Sequence, residues 1–369
     1  MLRPVQRRVV AFLGQIGECT RTELGEVLGL PKGTVAGIVA GLVEAGLVVE
    51  REPTLVEQRG AGRPAKVVAL NGPAAAIGVV SAFGGRAQAT VATLRGEVLG
   101  TASGVLEASA SQEAAVGVMQ DLLERAGARQ LVAIVVGVGA PVPRSSSRRW
   151  AFMPGWVDAG LAGAVRARTG TETFIENDAN LAVLGEWWFG AARGRTDVVL
   201  LKLGEQALGA GLILGGRLIR GSAGFAGELA HVQVRADGPV CPCGGRGCMR
   251  HTISTELLEL AQPAYAEPLT FGSVLRLAAG GDIGLQRLLV DVGRVAGRPL
   301  ADLCTLLNPE VIVVDGSVGP AGAHIVHGVA ETVERFASPV SAAAVTMGEL
   351  AERADVFGAV ALLRHEWRA

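Results

Sequence analysis

One histidine and three cysteines fall within eighteen residues of this chain: His231, nine intervening residues, then C-P-C-G-G-R-G-C ending at Cys248. A tetrahedral Zn²⁺ takes four nitrogen or sulfur ligands in a closed shell, and His231, Cys241, Cys243 and Cys248 supply that number. Gly244, Gly245 and Gly247 let the backbone curl so that thiolates five residues apart can face one ion. Glu228 stands three residues before the histidine and holds a carboxylate beside the loop. Core cysteines or disulfide halves are the competing reading. The spacing favours a structural zinc that stiffens a binding loop.

A second constellation is F-I-E-N-D-A-N-L over 174–181, a strand end followed by a helix start. Open α/β sheets place ligands at the carboxyl ends of their strands. Asn177 and Asp178 there can hydrogen-bond a polyol, and Asp178 can act as general base on a hydroxyl. The competing reading is Asp178 as an ordinary helix N-cap.

The elements around these residues alternate. Three apolar strands from residue 75 onward read as an antiparallel start, a helix over 111–128 follows, then a strand at 131–138. Further strands are expected at 173–176, 198–203, 210–214 and 311–314, with helices over 179–189, 283–306 and 322–336. This alternation predicts an α/β architecture with buried parallel sheets, in two halves around a cleft.

The first seventy residues differ. Val5, Val9, Phe12, Leu13 and Ile16 mark one face of a helix over 4–17. A short helix capped by Thr20 or Thr22 follows, then a turn at Gly29 and a helix with Val35, Ile38, Val39 and Leu42 periodic, closed by Gly46. Helix, glycine turn, helix is the order of a helix-turn-helix, whose second helix enters the major groove. Strands at 47–50 and 66–70 make a wing, and its tip reads Q-R-G-A-G-R-P-A. Arg63 is expected in an A·T-rich minor groove, with Arg59 and Lys66 on phosphates. On the recognition helix only Lys32 and Thr34 can hydrogen-bond a base edge or phosphate. Such a bare helix discriminates poorly alone, so the wing and dimerisation carry much of the specificity.

With 369 residues, 49% hydrophobic and 19% charged, the chain is globular and long enough for two or three domains. A net charge of −1 excludes a simple polybasic nucleic-acid binder, although residues 1–70 carry 9 Lys+Arg against 7 Asp+Glu. Three of five cysteines lie in the cluster, which suits a reducing cytosol with a metal. The absence of a signal-type apolar run or a membrane-length segment predicts a cytoplasmic protein with no membrane partner.

Taken together the chain resembles the ROK family, which groups sugar-responsive repressors with sugar kinases on the actin/hexokinase-like fold. H…C-x-C-G-x-x-G-C, E-N-D-A-N-L, N-P-E-V-I-V-V-D-G and A-G-E-L-A-H follow that family's order and spacing. The resemblance implies a winged helix-turn-helix over 1–71 and a two-lobed ROK domain over 72–369, with the zinc loop at 231–248. It implies a ligand group of Asn177, Asp178, Glu228 and His231. There are departures. Arg250 replaces the carboxylate of the family's G-C-x-E, Phe152 replaces an asparagine and Ala230 a glycine. That substitution at Arg250 points to an anionic sugar derivative as an alternative to a neutral sugar. Against the kinase D-x-G-x-T stand Ser81, Phe83 and Gly85, and Ala207 occupies a phosphate-facing glycine position. Phosphoryl transfer depends on positioning and charge neutralisation, so no ATP use is expected and Asp178 is a vestigial base. The expectation is a transcriptional regulator, a repressor, that senses a sugar or sugar derivative and binds an operator as a homodimer or dimer of dimers. The alternatives are a sugar kinase with an appended DNA-binding domain, or a regulator whose C-terminal domain binds a protein.

Overall fold

A computed structural model of the chain describes residues 2–52, 66–143, 153–204 and 208–367. The expected wing-tip residues Arg59 and Arg63, together with Phe152 and Ala207, lie outside the described residues.

The N-terminal head comprises α1 (Pro4–Ile16), β1 (Glu18–Thr20), α2 (Arg21–Leu28), α3 (Lys32–Glu44), β2 (Val48–Arg51) and β3 (Val67–Leu70). The helix cap belongs to Thr20: its hydroxyl accepts from the Glu23 amide, and the Glu23 carboxylate accepts from the Thr20 amide at 2.7 Å. These reciprocal bonds satisfy two orphan donors at the helix start. The chain turns through 114° between α2 and α3, within the helix-turn-helix range. Two expectations need correction. Ile16 is 45% exposed while Val10 is fully buried, because α1 packs on both the head core and the body. The wing is also three-stranded in the order β1-β3-β2, with Cys19 opposite Val68. The three-residue β1 carries too little pattern to be seen as a strand.

The body contains two sheets of one design. The first takes β4 (Ala76–Phe83), β5 (Arg86–Thr93), β6 (Val98–Val105), then α4 (Gln112–Arg125), β7 (Leu131–Val138), α5 (Leu161–Thr169), β8 (Thr173–Asn177) and α6 (Asp178–Phe189). Its order is β6-β5-β4-β7-β8, antiparallel among the first three and parallel across β4, β7 and β8. The second half begins with β9 (Val198–Leu203), β10 (Leu208–Leu214) and β11 (Arg217–Leu218). It continues through α7 (Met249–His251), a π turn at Thr252–Glu256, α8 (Leu257–Ala261), α9 (Phe271–Ala279) and α10 (Ile283–Leu307). Last come β12 (Val311–Val314), α11 (Gly322–Phe336), β13 (Ala344–Met347) and α12 (Ala354–Glu366). The order β11-β10-β9-β12-β13 repeats the first sheet strand for strand, with the same mixture of directions.

The central strands are buried on both faces, as parallel strands covered by helices must be; β9 and β12 have no exposed residue. Helices α6 and α12 follow the last strands of their respective halves and pack together between them, with the Phe189 and Phe357 rings 5.0 Å apart. The head, α6 and α12 share one continuous apolar cluster running from Val9 to Trp367. Among the described residues no single helix is long and apolar enough to cross a membrane.

Candidate ligand cavity and metal centre

At the carboxyl ends of β7 and β8 the two halves enclose a cavity of about 150 Å³. It is lined by Asn177 and Asp178 from the first half and by Glu228, His231 and Arg250 from the second. All five residues singled out as ligand-binding therefore face one space. The helix start settles the question about Asp178. Asn177 is the N-cap: its Oδ1 accepts from the Ala179 and Asn180 amides, while its Nδ2 donates to the Ala140 carbonyl. Asp178 is thereby the first helical residue; its Oδ1 accepts from the Ala179 amide next to it, and the residue lines the cavity.

Behind Asp178 lies a residue that the sequence reading missed. Lys202, nearly buried in β9, holds its Nζ 3.1 Å from Asp355 Oδ1 and 3.5 Å from Asp178 Oδ2. The Ser81 hydroxyl donates to the other Asp355 oxygen at 2.6 Å. Ser81, Lys202, Asp315 and Asp355 line a larger cleft of about 640 Å³, also bordered by Phe83. The cleft is therefore not without carboxylates, as Ser81 alone suggested; Asp355 and Asp315 supply them, and an ammonium already answers them. Burial by itself would lower the Lys202 pKa, but the carboxylates of Asp355, Asp178 and Asp315 outweigh it and raise it. Burial raises Asp178, with Lys202 opposing.

The metal candidates converge. One ligand atom from each of His231, Cys241, Cys243 and Cys248 lies within 4.8 Å of every other. Cys241 Sγ is 3.5 Å from His231 Nδ1, and Cys243 Sγ is 3.7 Å from Cys248 Sγ. Zn–S bonds of about 2.3 Å and Zn–N bonds of about 2.0 Å, set tetrahedrally, need N···S edges of about 3.5 Å and S···S edges of about 3.8 Å. The donor set fits. The loop is closed by Val234 and Arg235 amides donating to the Gly247 carbonyl, and by an isolated bridge from Val240 to Arg246. Gly247 adopts φ +62°, and a Cβ there would overlap the Arg235 carbonyl, so only glycine permits this closure. Cys248 is the residue before α7, which places Arg250 in the first turn of that helix and at the cavity.

The ROK family model matches residues 82–366, which is most of the chain. The chain belongs to the ROK family. A MarR family model matches residues 2–58 of its head. The xylose repressor of Caldicellulosiruptor bescii is 24% identical over 93% of this chain and 91% of its own length. The DNA-binding transcriptional repressor Mlc of Escherichia coli is 26% identical over 90% and 85% respectively. The glucokinase of Thermotoga maritima is 31% identical, but over 62% of this chain and 78% of its own. Among solved structures, a ROK family transcriptional regulator, a homolog of the E. coli MLC protein, shares the fold at TM-score 0.76 and 22% identity. It covers 99% of this chain and 97% of its own. A ROK glucokinase from Streptomyces griseus, solved with glucose and AMPPNP, gives 0.65 at 26% identity, covering 79% of this chain and 99% of that one.

Within this ROK body the cavity is electrostatically mixed. Burial, reinforced by the Asp178 carboxylate and opposed by Arg250, pushes Glu228 up to about 7. Burial and the Arg250 and His251 charges lower His231 to about 4, so its imidazole is neutral at neutral pH, the form that ligates metals. Because the folded Glu228 value exceeds its ordinary 4.5, its contribution to stability is present below pH 4.5 and lost as pH rises through 7. Glu228→Gln is expected to flatten the Tm–pH profile between those limits. An unchanged slope in the variant would show that Glu228 does not titrate there.

Of the expected DNA contacts, Lys32 and Thr34 stand exposed on the first turn of α3, and Lys66 is exposed just before β3. Two head arginines that sequence reasoning passed over are engaged internally: Arg21 makes two bonds to Glu50 and Arg51 pairs with Glu18.

Proposed function

We propose that this ROK protein is a DNA-binding transcriptional repressor with a head over 1–71 and a sensing body over 72–369. The body binds a sugar or sugar derivative without phosphorylating it. The observation that carries this reading is coverage. Two repressors align with nine-tenths or more of the chain, whereas a glucokinase matched over 99% of itself leaves about a fifth of this chain over, and the MarR match at 2–58 lies outside the ROK match at 82–366. Lys202 supports the same conclusion. It neutralises the carboxylates that would otherwise organise a phosphate-bound cation, and it pairs with the residue a kinase would use as base. The kinase alternative predicts ADP release over a hexose panel; none is expected here.

In this reading Asn177, Asp178, Glu228 and His231 surround the sugar hydroxyls, and Arg250 is the partner for an anionic substituent. Phosphorylated sugars should then shift the melting curve more than neutral ones, and Arg250→Glu should reverse that order. His231, Cys241, Cys243 and Cys248 would hold a structural Zn²⁺, which would supply fixed geometry to the loop bearing Glu228 and Arg250. On DNA, Lys32 and Thr34 of α3 enter the major groove while Arg59, Arg63 and Lys66 serve the wing, and a second copy supplies the other half-site.

A gel-shift titration tests the reading as a whole: a fragment from near the protein's own gene should be retarded at low salt. Lys32→Ala should weaken binding to all fragments alike and reduce the slope of log affinity against log salt by about 1. Absence of retardation on every neighbouring fragment would remove the proposal.

A further inference from the structure

Resting on the reading that the cavity takes an effector and the head takes DNA, we propose that β8 and α6 form a lever between them, and that Arg364 and Glu172 hand its displacement to α1.

The lever's working end is in the cavity. Asn177 ends β8 and caps α6, and Asp178 opens it. Twelve residues at 1.5 Å each make α6 about 18 Å long. Its far end presents Trp188 and Phe189. The Arg364 guanidinium of α12 lies over these rings, 4.9 Å from the Phe189 centroid and 5.9 Å from that of Trp188. From that seat Arg364 Nη2 donates to the Gly14 carbonyl in the last turn of α1 at 3.0 Å, and to the Leu94 carbonyl at 3.5 Å. The contact is dry, with Arg364 only 7% exposed. Gly14 is pressed so closely on the body that an added Cβ would stand 3.1 Å from Leu94 Cβ.

The head has a second tie to the same unit. Arg7, one turn into α1, pairs at 2.6 Å with Glu172, the residue before β8. Both ties of α1 thus lead to β8–α6, one at each end. The unit between them is stiff. Asp178 to Glu186 are all buried, and the fully buried Glu186 carboxylate accepts from the Ala191, Glu349 and Leu350 amides. A second ion pair fixes its root: Glu176 accepts from Arg220 Nε at 2.7 Å, on the segment that leads to Glu228.

A ligand that bonds both Asp178, on the first half, and Glu228, on the second, favours one spacing of the halves over others. Since β8–α6 is rigid and bears both α1 ties, that preference reaches α1. Helix α3 shares its core with α1 through Val9, Leu13, Val35 and Leu42, so the DNA-reading helix follows.

Hydrogen exchange of the full chain, read by mass spectrometry without DNA or sugar, tests this. Arg364→Gln is expected to speed exchange over 13–17 at least about tenfold, since a charge-assisted bond to a buried carbonyl is lost, while α10 and α11 keep their rates. Asp178→Asn, at the opposite end of α6, is expected to alter exchange across α1 in the parent chain, and that alteration should vanish in the Arg364→Gln background. Unchanged rates over 13–17 in Arg364→Gln, or an equal effect of Asp178→Asn in both backgrounds, would overturn the proposal. If Arg364→Gln yields no folded protein, Arg7→Gln releases the other tie at a partly exposed position. Faster exchange over 4–10 with a diminished Asp178→Asn effect supports the lever; parent-like exchange overturns it. A negative result removes the lever alone, because the repressor reading is decided separately by DNA retardation.

Discussion

Cys248→Ser protein, dialysed and assayed by elemental analysis, will hold zinc at near zero per chain where the parent holds about one. A serine hydroxyl stays protonated at neutral pH and cannot replace a thiolate in a soft-donor shell. The substitution is selective for the metal. Position 248 is the residue preceding α7, and serine is itself a favoured N-cap, so the helix start is preserved while the ion is lost. The hydrogen bonds of the loop over 232–247 run mostly within the loop itself, so its order is expected to depend on the ion. Thermal stability is expected to fall by about 5–10 °C, and ligand-induced shifts in melting should disappear because Glu228 and Arg250 are no longer held. Chelation of the parent by EDTA should reproduce both effects. Zinc retained at parent stoichiometry by the variant would disprove the ligand set.

Lys202→Met will lose about 3–5 kcal/mol of stability at pH 7, the usual cost of stripping the partner from buried charges. Methionine keeps most of the aliphatic stem's packing, so the loss isolates the ammonium. Asp178 and Asp315, each already raised by burial and relieved by Lys202, are left uncompensated. The sign of the pH dependence follows. Carboxyls with raised folded values favour the fold when protonated, so the deficit is full at neutral pH and shrinks as pH falls through those values. The Lys202 contribution in the parent, with its pKa raised above 10.5, persists to pH values above that point. Denaturant titrations at pH 7 and pH 5 should therefore show the gap narrowing. A gap of equal size at both pH values would mean that Lys202 acts through packing rather than charge.

What could be read from the sequence depended on distance along the chain. The candidate metal cluster was legible because one imidazole and three thiols occur in eighteen residues, and few other arrangements explain that density. The helix-turn-helix and most strands were legible from periodicity. Asn177 and Asp178 were legible from the strand end and helix start over 174–181, Glu228 from its place beside the histidine, and Arg250 only as a departure from a family motif; geometry then showed them around one cavity. The Ser81–Asp355–Lys202 network was invisible, since Ser81 and Asp355 are 274 positions apart and no spacing rule connects them. A hint existed in V-V-L-L-K-L, where a lysine interrupts an otherwise apolar buried strand and so must have a partner. β11, two residues long, and β13, with alanines in place of larger β-formers nearby, carried too weak a pattern to register. The doubled strand order likewise leaves no repeated residues to find; it is a property of pairing alone.

The bond between Arg364 and the Gly14 carbonyl joins residues 350 positions apart. Synthesis proceeds from the amino end, so the operator-binding segment emerges long before residue 364 leaves the ribosome. Until then that segment has no seat. A chain that stopped short of residue 364 would lack this seat, and α1 would have to be held by its remaining contacts, Arg7 with Glu172 among them.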